Sequence, residues 1–238
     1  MKSYIYTLIL VAGLLVGCQM QPVDNANINK QRAHDASIAA AIGYLQADNY
    51  SRAFHHAEAA LDYKKNSPQA YQVMGLIYQR QKDAIRAERM FLAAIKEDPS
   101  FSQARNNYGQ FLIEQQRYGD AIEQLKRSAT DINYASRALS YSNIGKSYHA
   151  LGVDTKAVAN WTRALELNKR QPYPAFELSK YFLDKSNYLR ANEYYTIFEQ
   201  YGEQTEETAF VGLEVAIGMG DENSIQKYTL LWEALKRR

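Results

Sequence analysis

Residues 68–101 read PQAYQVMGLIYQRQKDAIRAERMFLAAIKEDPSF. Pro68 stands where a helix tolerates proline in its first turn, Lys82-Asp83 interrupts the apolar periodicity, and Asp98-Pro99 ends a second periodic run. Gly75, Ala87 and Ala94 are small, whereas Tyr71, Met74, Tyr78 and Phe91 are large. Small residues let two helix backbones approach, and large ones fill the space left between them, so the stretch reads as a pair of packed helices. One such pair cannot bury its apolar face alone, which makes copies of it the next thing to look for.

Copies recur from residue 34 onward with a period near 34. Residues 138–171 repeat the pattern as Tyr141, Ile144, Gly145, Tyr148, Ala157, Trp161 and Ala164. Residues 102–135 keep Tyr108, Gly109, Leu112, Ala121 and Leu125, depart at Arg105, Ser128 and Asn133, and are followed by two inserted residues, 136–137. Residues 172–205 keep Leu178, Phe182, Ala191 and Tyr195, with Ser179 and Phe198 at positions that are small elsewhere. The end units are weaker: 34–67 keeps Ala41, Tyr44, Ala53 and Ala60, and 206–238 has Leu213, Trp232 and a turn at Gly220-Asp221. This pattern resembles the tetratricopeptide repeat at its positions 4, 7, 8, 11, 20, 24, 27 and 32. The resemblance implies an all-α, right-handed tetratricopeptide superhelix of about six helix pairs, with units 34–67, 68–101, 102–137, 138–171, 172–205 and 206–238. The aromatic series is assigned to packing between helices, the turns fall at Asp48-Asn49, Lys82-Asp83, Gly152-Val153, Ser186-Asn187 and Gly220-Asp221, and residues 130–137 form an irregular joint where the stack is expected to bend.

Upstream of the repeats, Lys2 precedes an apolar run from Ile5 to Val16 that is too short to span a bilayer, and the chain turns polar directly after Cys18. Leu15-Val16-Gly17-Cys18 resembles a bacterial lipobox. That resemblance implies a lipoprotein signal peptide over 1–17, acylation of Cys18 as the only cysteine, and a polar tether over 18–33. As coil, such a tether spans about 20 Å. Gln19 is not the Asp associated with retention at the inner membrane, so the expected location is the outer membrane, lipid-anchored on its periplasmic side.

Lys and Arg number 28 against 26 Asp and Glu, a formal net charge of +2, which leaves no basic excess for nucleic acid. With 46% hydrophobic residues and 12 Gly among 238, the chain is neither disordered nor fibrous. No metal-ligand, nucleotide-binding or nucleophile-elbow motif occurs, so no enzyme, cofactor, metal or small-molecule substrate is expected. His34, His55, His56 and His149 are read as surface residues, the adjacent His55 and His56 pointing to different sides of a helix.

Function then rests on the inner face of the superhelix, lined by first helices at positions 2, 5, 9, 12 and 13. In the second and third units these positions are mostly polar, Gln69, Gln72, Gln79, Arg80, Gln103, Asn106, Gln110 and Glu114, with Leu76 and Ile113 as apolar exceptions. The first unit instead places Ile38, Ile42 and Leu45 there. Apolar side chains expected to face solvent call for a partner or a cap, and Ile38, Ile42, Leu45, Leu76 and Ile113 are the candidate protein-binding residues. Tyr173, Phe176 and Leu183 form a second, weaker candidate.

A lipobox, a polar tether and six repeats, with Asn106-Asn107-Tyr108-Gly109-Gln110-Phe111-Leu112 followed by Arg117-Tyr118-Gly119-Asp120-Ala121, resemble the type IV pilus biogenesis and stability lipoprotein family. The resemblance implies a pilotin: a non-catalytic outer-membrane lipoprotein that binds the pilus secretin and supports its localisation and multimer assembly for pilus extrusion and twitching motility. The alternative is a tetratricopeptide scaffold for another envelope machine, such as peptidoglycan synthesis or outer-membrane protein assembly.

Overall fold

The computed structural model describes residues 25–237. Cys18 and the signal-like segment lie outside the described residues. Twelve α-helices and no strand occur among those described: α1 (Asn25–Gln46), α2 (Tyr50–Tyr63), α3 (Pro68–Arg80), α4 (Ala84–Glu97), α5 (Ser102–Glu114), α6 (Tyr118–Thr130), α7 (Arg137–Ala150), α8 (Asp154–Leu167), α9 (Pro172–Asp184), α10 (Tyr188–Tyr201), α11 (Glu206–Met219) and α12 (Glu222–Lys236). They form six hairpins stacked in chain order. Each odd-numbered helix from α1 to α9 packs backbone-close on the next odd-numbered one, while even-numbered helices meet at most through long side chains, as Tyr228 on α12 meets Tyr195 and Glu199 on α10. First helices therefore crowd along an inner layer and second helices splay apart outside, the geometry that bends a stack into a superhelix.

The turns inside the hairpins carry the repeat in their backbone. Asp48, Lys82, Gln116, Gly152, Ser186 and Gly220 all have positive φ, between 52° and 71°, at intervals of 34, 34, 36, 34 and 34 residues. The longer interval contains the insertion at 136–137. After each of these residues comes the entry to a second helix, capped at Asn49, Asp83, Asn187 and Asp221 by a side-chain oxygen that accepts a backbone N–H.

Packing between first and second helices follows one rule. A Cβ on Gly75 would lie 2.8 Å from the Phe91 ring, and one on Gly109 would lie 2.5 Å from Leu125; on Gly145 it would collide with Trp161. Each glycine therefore marks where the large residue of the second helix presses on the first helix's backbone. In the fifth hairpin Ser179 takes this place, and its buried hydroxyl donates to the Ala191 carbonyl at 2.9 Å. The interior is three apolar clusters along the stack, linked through the half-buried Leu76, Tyr78 and Tyr148, with Phe91, Phe111, Leu112, Leu125, Ile144, Trp161, Leu178 and Tyr195 all nearly inaccessible.

The third hairpin's departures are explained by hydrogen bonds. Arg105 folds over its own helix start, donating from Nε and Nη2 to the Pro99 carbonyl at 3.0 and 2.7 Å and from Nη1 to Gln124 at 2.8 Å. Ser128 stands where the first, second and fourth hairpins have Ala, and its hydroxyl bonds the Leu125 carbonyl and Ser140 Oγ, each at 2.9 Å. Asn133 N–H donates to Asp131, whose other oxygen accepts from Ser102. At this joint α6 packs along α7 far more extensively than second helices elsewhere pack on the hairpin that follows.

Two expectations are corrected at the N-terminal end. The segment expected as a coil tether is helical from Asn25, so residues 25–33 prolong α1 by about 13 Å at 1.5 Å per residue. No Gly or Pro interrupts 25–42, and Gln31 Nε2 donates to Asp35 one turn on at 2.8 Å. His34 is not a surface residue: it is 2% exposed, with Nε2 2.7 Å from Ser67 Oγ and Nδ1 2.8 Å from Asp35. Its ring pins α1 to the N-cap of α3, because Ser67 Oγ also accepts the Ala70 N–H.

Candidate protein-binding groove

The inner face at the first two hairpins is built by α1 and α3. Ile38 and Ile42 lie one turn apart on α1, and Leu76 occupies on α3 the register position that Ile42 has on α1. Ile42 is 38% exposed, while Ile38 and Leu76 are half-buried against the core that Val73, Met74 and Ile77 share with the first hairpin. These three stay on the groove. Leu45 and Ile113 do not: they are 7% and 6% exposed and belong to the core. Both stand at repeat position 12, which packing in these two units covers although His149 and Ile217 hold the same position exposed.

Position 5 is corrected for the same reason. Gln72 and Asn106, expected among the polar groove residues, are 5% and 1% exposed. Asn106 Oδ1 accepts from Ser140 Oγ at 3.1 Å, which ties α5 to α7 and joins the Ser128 hydroxyl to the same chain. Buried polar groups of this kind need partners, and Asn106 has one across the joint.

Beyond Leu76 the groove turns polar. Gln79 Nε2 donates to Glu114 at 2.6 Å, bridging α3 and α5 across the inner face, and Arg80 approaches Asp48 at 3.4 Å. The Arg80 pair is well over half exposed and contributes little to stability. The apolar strip is thus short, bounded by the bridge on one side and open at the α1 end. Ile42 is its exposed crest.

Chemistry beyond binding has little to work with. The line Asp35, His34, Ser67 has the order of a nucleophilic relay, yet Ser67 is fully buried and engaged as a helix cap, so its hydroxyl cannot meet a substrate. The rings of His55 and His56 are 5.6 Å apart, and His56 stacks on Tyr44 at 5.2 Å. No group of three His, Cys, Asp or Glu among the described residues is placed to hold a metal ion. Further along, Tyr173 is 38% exposed, Phe176 is 7% exposed and Leu183 is half-buried, so the second candidate strip keeps Tyr173 at its surface and commits Phe176 to the core. Sequence reasoning missed His34 as an anchor; its spacing of 33 residues to Ser67, the cap of the next unit, was the available signal.

A tetratricopeptide repeat model matches residues 90–123, from the middle of α4 into α6. The type IV pilus assembly protein PilF of Pseudomonas aeruginosa is 28% identical over 224 residues, covering 93% of this chain and 89% of that protein. A solved structure of P. aeruginosa PilF superposes with a TM-score of 0.82 over 87% of this chain and 93% of that one. PilW, described as a widely conserved type IV pilus biogenesis factor, shares the fold at 21% identity, with a TM-score of 0.72 over 84% of this chain and 92% of its own. The six stacked hairpins and a likeness that runs nearly end to end make this chain a tetratricopeptide-repeat homologue of the type IV pilus protein PilF.

Proposed function

We propose that the chain is a pilotin of the type IV pilus system: a lipoprotein anchored through Cys18 on the periplasmic side of the outer membrane, which binds the secretin and promotes its multimer assembly. The observation that carries this reading is the exposed apolar crest at Ile42, flanked by Ile38 and Leu76, on a chain whose likeness to PilF is nearly full length. Stacked helix pairs have an inner face suited to a peptide segment, and an apolar strip bounded by a polar bridge fits a short apolar segment of a partner. Several acyl chains at about 0.8 kcal/mol per buried CH2 hold such a domain at a membrane, and none of the described helices is long and apolar enough to cross one.

The test uses Ile42→Glu, because Ile42 already meets solvent and the charge leaves the fold intact. We expect secretin multimers and twitching to be lost while the melting temperature is unchanged. Normal multimers in that variant remove the groove from the assignment. Cys18→Ser is expected to shift the protein from the outer-membrane fraction to the soluble periplasm, and unchanged fractionation refutes the anchor. A membrane pull-down that recovers a different envelope complex and no secretin replaces the pilotin reading with that of a scaffold.

A further inference from the structure

A second cleft, of about 290 Å³, opens at the other end of the inner face, between α7, α9 and α11. Trp161, Tyr181, Leu183 and Val211 give it apolar and aromatic walls, and Asp154, Glu177, Asp184 and Glu214 give it charge. Its two basic residues are already engaged. His149 Nδ1 lies 2.9 Å from Asp154, and Lys180 lies 3.2 Å from Glu177 and 3.6 Å from Glu207, with its ammonium 4.8 Å above the Phe176 ring. Asp184 and Glu214 have no cation within ion-pair distance among the described residues, although both stand exposed on successive first helices. In a chain with a formal charge of +2, four carboxylates against one permanent cation make this a local negative site, and apolar walls strengthen its field. Trp161, 2% exposed, closes the floor of the cleft, its indole Nε1 edge pressed against the Gly145 backbone.

We propose that this cleft docks an extended basic segment of a partner protein, seating a Lys or Arg between Asp184 and Glu214 with its aliphatic stem against Tyr181 and Leu183. The charge selects the occupant. An anionic lipid surface or a nucleic acid is repelled by the same carboxylates that attract a cationic side chain, while the Tyr181 ring, with Lys185 already 5.9 Å from its centre, offers the occupant apolar contact only. The site is separate from the Ile42 crest and stands whether or not the pilotin reading holds.

Binding of fluorescent decapeptides to the full chain tests this, with Leu alternating with Arg, with Glu or with Ser. The Arg peptide is expected to bind, and to weaken as salt is raised. Replacing both carboxylates (Asp184→Lys with Glu214→Lys, and the milder Asp184→Asn with Glu214→Gln) is expected to weaken it at least about tenfold in the first case and less in the second. Glu58→Lys with Glu97→Lys makes the same change in net charge on α2 and α4 and is expected to bind like the native chain; matching circular dichroism checks the fold of every variant. Equal affinity for the Arg and Ser peptides overturns the proposal, as does an equal loss in the control variant. Ultracentrifugation showing that Asp184→Lys with Glu214→Lys splits a dimer also overturns it, since the occupant is then a second copy of the chain.

Discussion

The second and third hairpins occupy neighbouring places in the same stack and hold them by different means. The second is apolar wherever the repeat asks for it: Ala87, Phe91 and Ala94 on α4 are fully buried against a first helix kept thin at Gly75. The third puts Arg105 and Ser128 at two such places and still buries them, at 6% and 0% exposure, because each guanidinium nitrogen and the hydroxyl find an acceptor. At the joints that follow, Ala94 and Ala104 in one correspond to Ser128 and Ser140 in the other, and only the serines are linked by a hydrogen bond. The repeat constrains volume and polar satisfaction together; residue identity is free to vary as long as both are met.

The largest way to break this equivalence is Phe91→Ala, which empties the space above Gly75. It is expected to cost about 3–5 kcal/mol, and a denaturant titration reads the loss. Next comes Ala94→Ser, which copies Ser128 into the second hairpin without its partner across the joint. Its hydroxyl keeps the carbonyl three residues back, at Phe91, but has no bond across the joint, so a cost of about 1–2 kcal/mol is expected and a melting temperature equal to that of the native chain would contradict the argument. Adding Ala104→Ser supplies the partner and is expected to recover part of the loss. The reverse pair, Ser128→Ala with Ser140→Ala, removes both hydroxyls but strips the buried Asn106 Oδ1 of its donor, and is expected to cost about 1–2 kcal/mol.

The smallest effect concerns the staple between the two hairpins. Glu88 accepts from Tyr108 Oη at 2.7 Å and from Arg117 at 2.6 Å. Burial pushes its pKa up, but these two donors outweigh burial and hold it below the ordinary value, while burial and the Glu88 contact push the Tyr108 phenol up. A depressed carboxylate stabilises the fold above the ordinary glutamate range and loses that contribution as pH falls through its folded value. Glu88→Gln is therefore expected to lower the melting temperature by about 2–4 °C near neutral pH, with the difference from the native chain vanishing in acid.

The spacing of Gly75, Ala87, Phe91 and Ala94 was enough to specify a helix hairpin, and its recurrence specified the stack, because these positions report contacts within a hairpin and with its neighbour. The inner face was only half legible. Exposure at positions 5 and 12 depends on how closely successive first helices approach, and that follows from the curvature of the whole stack and not from any one unit. Leu45, Gln72, Asn106 and Ile113 went under for this reason, while Ile42 stayed out. The helical prolongation over 25–33 was hidden by its polar composition, which a solvated helix and a coil share. The cleft at Asp184 and Glu214 gathers residues from four helices of three hairpins, and no local pattern announces such a convergence.

The way the helices touch has a mechanical side. Each hairpin contacts only the ones directly before and after it in the stack, so a force applied between the two ends passes through every joint in turn. Such a chain of joints in series stretches like a spring and gives way first at its weakest coil. Where α6 lies along α7, that coil is reinforced, so a molecule pulled from both ends yields elsewhere before its middle opens.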